Sequence, residues 1–160
     1  MVTWAGQQSK ASRTRRNPTE ARSVILVDTG PLVALFDPAD SWHTRCVAKL
    51  ETLKEPLCAT VPVLAEAFHL LTPDSTGSKR LMEFIVDGGM RIWFLDDEAL
   101  TRTFELITRY ANVPMDLADA SLVVAAERLN SRRVFTIDRR DFAIYRIRKG
   151  HRHMPFELIA

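Results

Sequence analysis

Short apolar runs rich in β-branched residues, alternating with stretches of helical periodicity, predict an α/β sandwich around a mostly parallel sheet. Two observations carry that prediction. Four runs of strand length recur along the chain, and the segments between them place apolar residues at helical spacing. A third observation gives it direction, because aspartates stand where strands end, and α/β sheets bind ligands outside the carboxyl ends of their strands.

The first run, Ser23 to Val27, is read as a buried strand that stops at Asp28-Thr29-Gly30-Pro31. Leu32, Val33, Leu35 and Phe36 then suggest a short helix, broken at Asp37-Pro38. Trp42, Cys46, Val47, Leu50 and Leu53 fall near one helical face. Pro56 to Ala59 is the second strand. Thr60 is a candidate N-cap and Pro62 suits the first turn of the helix from Val63 to Leu71. Thr72 to Ser78 reads as a loop, followed by a helix from Arg80 to Val86 that ends at Gly88-Gly89. Met90 to Leu95 is the third strand, running into Asp96 and Asp97. Glu98 to Tyr110 and Asp116 to Leu129 are helices separated by Asn112-Val113-Pro114. Arg133 to Thr136 is the fourth strand, and Ala143 to Ile147 is expected as a fifth.

The chain has 160 residues, 46% hydrophobic and 26% charged, which fits one soluble domain able to bury about two-thirds of its unfolded surface. It needs no disulfides. Cys46 and Cys58 lack CxxC spacing and a flanking His set, so zinc and redox motifs are unsupported and free thiols in a reducing cytoplasm are expected. No apolar run approaches the roughly 18 residues that span a bilayer, so no membrane association is expected. Residues 1–22 differ in kind, with Lys10, Arg13, Arg15, Arg16 and Arg22 against Glu20 alone. They are read as a basic disordered arm or an extension ahead of the true start, in preference to a transit peptide, and residues 23–160 as the domain.

The formal charge of +2 hides an asymmetry. Val24 to Glu127 holds eight Lys and Arg against sixteen Asp and Glu, whereas Arg128 to His153 holds nine against Asp138 and Asp141. A basic third beside an acidic body fits a polyanion laid over one acidic spot, and fits a solvated Arg-rich face equally well.

Charge alone does not settle the matter, and the acids are more informative. Asp28 ends the first strand, and Asp138 lies two residues past the fourth. Asp116 and Asp119 stand three apart at a helix start and share a face. Glu66 sits in the apolar stretch Val63-Leu64-Ala65-Glu66-Ala67-Phe68, where an unpaired buried carboxylate is costly. Singly, each has a plain explanation as a cap or a dipole partner. Together they do not. Two carboxylates about 4 Å apart repel by roughly 4 kcal/mol at an effective dielectric of 20, so several on one rim call for a cation. Oxygen ligands alone favour Mg²⁺ or Mn²⁺, which polarises a phosphate and activates water for hydrolysis of a phosphodiester.

In order and context these residues resemble the PIN-domain nuclease family. Val27-Asp28-Thr29-Gly30-Pro31-Leu32-Val33-Ala34-Leu35-Phe36 is similar to its opening strand and first acid, and Val63-Leu64-Ala65-Glu66-Ala67 to the second block. The run from Asp116 through Asp119-Ala120 to Ala126 resembles the third, and Phe135-Thr136-Ile137-Asp138 through Phe142 the fourth. The resemblance runs from about Ser23 to the C-terminus and lies nearest to VapC-type toxins. It implies a three-layer α/β/α fold with a parallel sheet of four or five strands. It also implies Mg²⁺- or Mn²⁺-dependent cleavage of RNA, a cognate antitoxin and a homodimer. Asp28, Glu66, Asp119 and Asp138 would form the metal-binding, catalytic quartet, with Asp116 as a further ligand or supporting group. Thr136 would orient a water or a phosphate, or simply finish its strand. The basic arm departs from the family pattern, in which the first strand starts close to the initiator.

Two other readings are weaker. A haloacid-dehalogenase-like phosphatase would show Asp-x-Asp where this chain has Asp28-Thr29-Gly30. An inactive binding module of the same fold would have no reason to keep four repelling charges. His43 is expected as a helix-start residue rather than a general base, and His69 as a semi-buried histidine. Arg132, Arg133, Arg139, Arg140, Arg146 and Arg148 flank Asp138 in sequence and are candidates to grip RNA phosphates, Arg139 and Arg140 above all. Leu35, Phe36 and Trp42 are expected as core, with a groove for an antitoxin helix as the alternative.

Overall fold

Ile25, Leu26 and Val27 lose all contact with solvent because their strand, β1 (Ile25–Val27), is paired on both edges and covered on both faces. The computed structural model describes residues 23–159, so the basic arm lies outside the described residues. Around β1 stand β2 (Leu57–Thr60), β3 (Met90–Trp93), β4 (Arg133–Phe135) and β7 (Glu157–Ile159), in the order β3-β2-β1-β4-β7 with every neighbour parallel. Strands buried on both faces read as continuous apolar runs, as β1 and β2 do.

The helices flank the sheet in two groups. One comprises α1 (Thr29–Phe36), α2 (His43–Thr52), α3 (Val61–Leu70) and α4 (Thr76–Val86), with α1 touching each of the others. The other is α5 (Asp97–Arg109) packed along α6 (Leu117–Leu129). Eight of the nine positions of α6 from Ala118 to Ala126 are buried, Asp119 being the exception, which explains why its sequence shows little amphipathic contrast. The three-layer parallel architecture is as expected.

Four local readings need correcting. Arg139–Ile144 forms a helix, α7, because Asp138 caps it by accepting from the Asp141 N–H at 3.1 Å. The expected fifth strand is therefore displaced. Arg146–Lys149 becomes β5, paired antiparallel with β6 (Arg152–Pro155) in a separate hairpin, and the sheet's fifth strand is β7. The loop after α3 is shorter than expected, since Ser75 caps α4 through the Ser78 N–H at 3.1 Å and starts the helix at Thr76. His69 is exposed rather than half-buried. Leu35 and Phe36 pack half-buried against the core as expected, while Trp42 is 36% exposed under the Arg45 guanidinium.

The topology fixes where a ligand can sit. From β1 the chain moves to β2 and β3 on one side, and returns to place β4 on the other. The crevice between the carboxyl ends of β1 and β4 is the switch point of the sheet. The register pairs Val27 with Phe135, and the Asp28 N–H continues the ladder to the Phe135 carbonyl at 3.0 Å. Asp28 and Thr136 therefore emerge side by side.

Candidate active site at the carboxyl rim

Asp28 caps α1 and is held at both oxygens. One accepts the Thr29 N–H at 2.7 Å, and the other accepts the Thr136 hydroxyl at 2.8 Å. Only 8% of the residue is exposed. Thr136 is wholly buried. Its single hydrogen goes to Asp28, and its oxygen accepts the Asp138 N–H at 2.9 Å. It positions Asp28 and sets the turn carrying Asp138, rather than meeting a substrate directly. Gly30 allows that turn to close on α1, since a Cβ there would stand 2.7 Å from Ile137 Cγ1.

Glu66 reaches the same place from α3. The Thr29 hydroxyl donates to its Oε2 at 2.6 Å, so adjacent residues of α1 hold the first and second acids. Thr60, at the end of β2, aligns the helices behind them. Its hydroxyl lies 2.5 Å from that of Ser121, which donates to the Ala118 carbonyl at 2.7 Å. This buried link ties the start of α3 to α6, the helix that carries Asp119.

Asp116 caps α6 by accepting the Asp119 N–H at 2.8 Å. The carboxylate of Asp119 takes a hydrogen bond from the Tyr145 hydroxyl at 3.1 Å, a hydroxyl equally close to the Pro114 carbonyl. Tyr145 is fully buried, set edge-on against Phe142 and Tyr110 with ring centres 5.3 and 5.4 Å away. Burial, then the charge of Asp119, push its hydroxyl well above the usual phenol range. No motif singles out this tyrosine. Its place follows from the end of α7, where Tyr145 is the C-cap and packs between Tyr110 and Phe142.

The electrostatics identify which acids act as one group. Burial raises the Asp28 carboxyl to about 6 against the bonds from Thr136 and Thr29, with the charges of Glu66 and Asp116 adding to the rise. Burial first, then Asp116 and Asp28, raise Asp119 to about 7. The charges of Glu66 and Asp116 thus act on Asp28, and those of Asp116 and Asp28 on Asp119, which joins the four in one group. Asp138 lies on the same rim, bound to Thr136 through its backbone, while its exposed carboxylate faces the first turn of α7. None of the ion pairs among the described residues involves any of these five acids.

As a donor set the cluster is oxygen only, which suits a hard divalent cation and excludes the thiolate and imidazole sets that zinc prefers. Among the described residues, no three His, Cys, Asp or Glu side chains converge closely enough to ligate one ion. The residues fit the ion in chemistry and charge. The carboxylates stand apart, each held by a cap or a hydroxyl.

The flanking cations divide sharply. Arg133 opens β4, at the opposite end of the sheet from Asp28, and pairs with Glu55. Arg132 beside it pairs with Glu157 at 3.2 Å. Arg146 turns inward to the carbonyls of Ala143, Ile144 and Tyr145. Those three are corrected as candidates for gripping a substrate, because they are occupied within the protein. Arg139 and Arg140 are exposed on the first turn of α7, next to Asp138. His43 opens α2, and its Nδ1 lies 2.7 Å from the Ala34 carbonyl, in keeping with a structural role.

Comparison with known proteins gives a consistent family. A family model described as the PIN domain matches residues 25–149. Ribonuclease VapC26 of Mycobacterium tuberculosis is 25% identical over 124 residues, covering 76% of this chain and 92% of that protein. Among solved structures, VapC20 of Mycobacterium tuberculosis, described as a sarcin–ricin loop cleaving toxin, superposes with a TM-score of 0.68 at 16% identity. That match covers 74% of this chain and 92% of VapC20. A toxin–antitoxin complex from Klebsiella pneumoniae superposes with a TM-score of 0.58 at 18% identity, over 75% of this chain and 91% of its own.

Proposed function

We propose that this chain, which belongs to the PIN-domain family, is a metal-dependent ribonuclease and the toxin of a toxin–antitoxin pair. The observation that carries the reading is a cluster of carboxylates, two of them raised by burial and mutual repulsion, without a basic partner among the described residues. A structural cluster would include a cation.

Asp28, Glu66, Asp119 and Asp138 would hold Mg²⁺ or Mn²⁺, with Asp116 beside them. Such an ion would supply the Lewis acidity that phosphodiester hydrolysis needs. The chain's own groups orient the ligands. Thr136 holds Asp28, Thr29 holds Glu66, and Tyr145 holds Asp119. Such hydrogen bonds to ligating groups fix their direction and basicity.

RNA with an accessible single-stranded segment is the proposed substrate, with Arg139 and Arg140 as phosphate contacts beside the scissile bond. That VapC20 is described as cleaving a loop supports this class. An antitoxin would lay an apolar helix on the toxin and place an arginine among the carboxylates through paired hydrogen bonds. Exposed apolar side chains, including Phe94 at 73% and Leu100 and Phe104 four residues apart on α5, support a homodimer. A cytoplasmic site of action follows from the substrate.

The test is cleavage of a panel of looped and fully paired RNAs by purified protein, with Mg²⁺ or Mn²⁺ and with chelator. Metal-dependent cuts in loops, absent from Asp119→Asn, are expected. Equal cutting by the variant, or cutting that ignores chelator, would refute the metal reading.

A further inference from the structure

Among the described residues, the greatest density of unpaired positive charge lies away from the acidic rim. Arg148, Lys149, His151, Arg152 and His153 are all exposed on the β5–β6 hairpin. No ion pair among the described residues uses Arg148, Lys149 or Arg152, whereas Arg102, Arg128, Arg132 and Arg133 are all paired.

The hairpin is firmly seated. Ile147 is 4% exposed, the Arg146 N–H donates to the Tyr110 hydroxyl at 3.1 Å, and the Arg148 N–H donates to Glu127 at 3.0 Å. Glu127 follows Asp116 by eleven residues on α6, which is three turns and about 16 Å along nearly the same face. The hairpin thus stands several nucleotides from the carboxylates on the same flank. The chain between them exposes Arg139 and Arg140, then Ala143 and Ile144.

Between the hairpin and the end of α6 lies a cavity of about 170 Å³. Asn130, Arg132, Arg148 and Lys149 line it, with Ile147 and Met154 as an apolar surface. Carbonyls at the end of α6 oppose an anion with about half a charge, and two free cations outweigh that. Glu127 adds little against it, because Arg102 holds both of its oxygens, at 3.2 and 3.1 Å.

We propose that this notch is a second RNA-contact site, taking a backbone phosphate and its adjoining nucleotide at a distance from the scissile bond. The site rests on the ribonuclease reading and extends it. Phosphate meets Arg148 and Lys149, and Arg152 at the hairpin tip meets the next phosphate. The amide of Asn130 and the apolar wall receive the sugar and base. The enzyme then prefers long RNA for reasons of reach.

The experiment uses the full chain carrying Lys149→Gln with Arg152→Gln, both at exposed positions. Binding of a long stem-loop RNA is followed by fluorescence anisotropy against salt, in chelator so that no cutting occurs. The log–log slope should fall by at least about 0.7, for the phosphate that Arg152 alone meets, since Arg148 still meets the other. In Mg²⁺, kcat/KM should fall several-fold on the long RNA and stay unchanged on a short oligonucleotide carrying little beyond the scissile bond. An unchanged slope overturns the proposal, as does an equal loss on both RNAs. Loss of binding to a co-expressed partner protein at an unchanged slope would assign the hairpin to protein and also overturn it. Failure of the wild-type chain to cut any RNA would sink the ribonuclease reading instead, with the anisotropy slope still reporting on the notch.

Discussion

Two charge clusters flank α6, each built around one buried member, Arg102 or Asp28, and they follow opposite principles. Near its C-terminal end, Arg102 of α5 is 8% exposed and fully engaged. It gives two bonds to Glu127 and a third to Glu105 at 3.0 Å. Glu127 in turn takes the Arg148 N–H, so one ion pair joins α5, α6 and the hairpin. At the other end of the helix Asp116 and Asp119 stand near Asp28 and Glu66 with no cation paired to them among the described residues, and their bonds come from hydroxyls and backbone N–H groups. The first cluster satisfies its charges internally. The second leaves them for something outside the chain, at the switch point of the sheet, and this contrast separates a structural cluster from a functional one.

The sharpest way to break the comparison is to neutralise each cluster in turn. Asp28→Asn or Asp119→Asn should remove cleavage, by well over the roughly hundred-fold seen when groups supporting a ligand are lost. The same variants should melt at or above the wild-type temperature in chelator, because repulsion is relieved. Asp116→Asn should be milder in turnover assays. If it proves the more damaging change, the roles of the two α6 acids are reversed.

The opposite pattern is expected at the paired end. Arg102→Met strands Glu127 in a buried site, at a cost of about 3–5 kcal/mol. In a domain of this size that lowers the melting temperature by roughly 10 °C. Cleavage per folded molecule should survive, assayed well below the transition. A variant that melts normally would mean that Glu127 finds water or another partner, and the cluster would lose its structural standing.

The unpaired cluster also makes stability depend on pH. Asp28 and Asp119 titrate at about 6 and about 7 in the folded chain, against 3.8 for an ordinary aspartate. Between those limits the folded state holds protons that the unfolded state has released, so stability falls as pH rises. The advantage is full below about 4 and gone above about 7. For Asp28 alone it amounts to about 3 kcal/mol. Melting curves in chelator should therefore drop across this window, Asp28→Asn should flatten the drop, and Mn²⁺ should restore stability at its upper end. A profile that rises through the window would contradict the repulsion on which the metal reading stands.

The sheet and the acids were legible for a physical reason. Strands such as Ile25–Val27, buried on both faces, leave uninterrupted apolar runs, and the parallel topology then forces the residues after them onto one rim. Glu66 stood out because its neighbours in α3 are apolar. The C-terminal third was less legible. Charged side chains alternate through β5, three residues of β7 carry no periodicity, and the capping bond from Asp138 outweighs the strand preference of Ile144 and Tyr145. Neighbourhood in sequence also misled, because Arg132 and Arg133 lie close to Asp138 along the chain and at the far end of a strand from it in space. The coupling of Asp116 to Asp28 depends on a helix start meeting a strand end, which no local pattern encodes.

The smallest expected effect belongs to Tyr145, which the sequence did not mark. Among the described residues its hydroxyl is the one side-chain donor to Asp119, and its ring is locked among Tyr110 and Phe142. Tyr145→Phe keeps the ring and removes the donor, so packing and melting temperature should change little in chelator. Asp119 would then lose the bond that fixes its direction, and the ion it helps to hold should bind less tightly, by about ten-fold. Mn²⁺ binding followed by electron paramagnetic resonance reads this without any turnover. The Mn²⁺ needed for half-maximal cleavage should rise by a similar factor while the rate at saturating metal recovers. A merely structural tyrosine would give the reverse, an unchanged Mn²⁺ affinity with a lowered melting temperature, and that result would remove Tyr145 from the metal site.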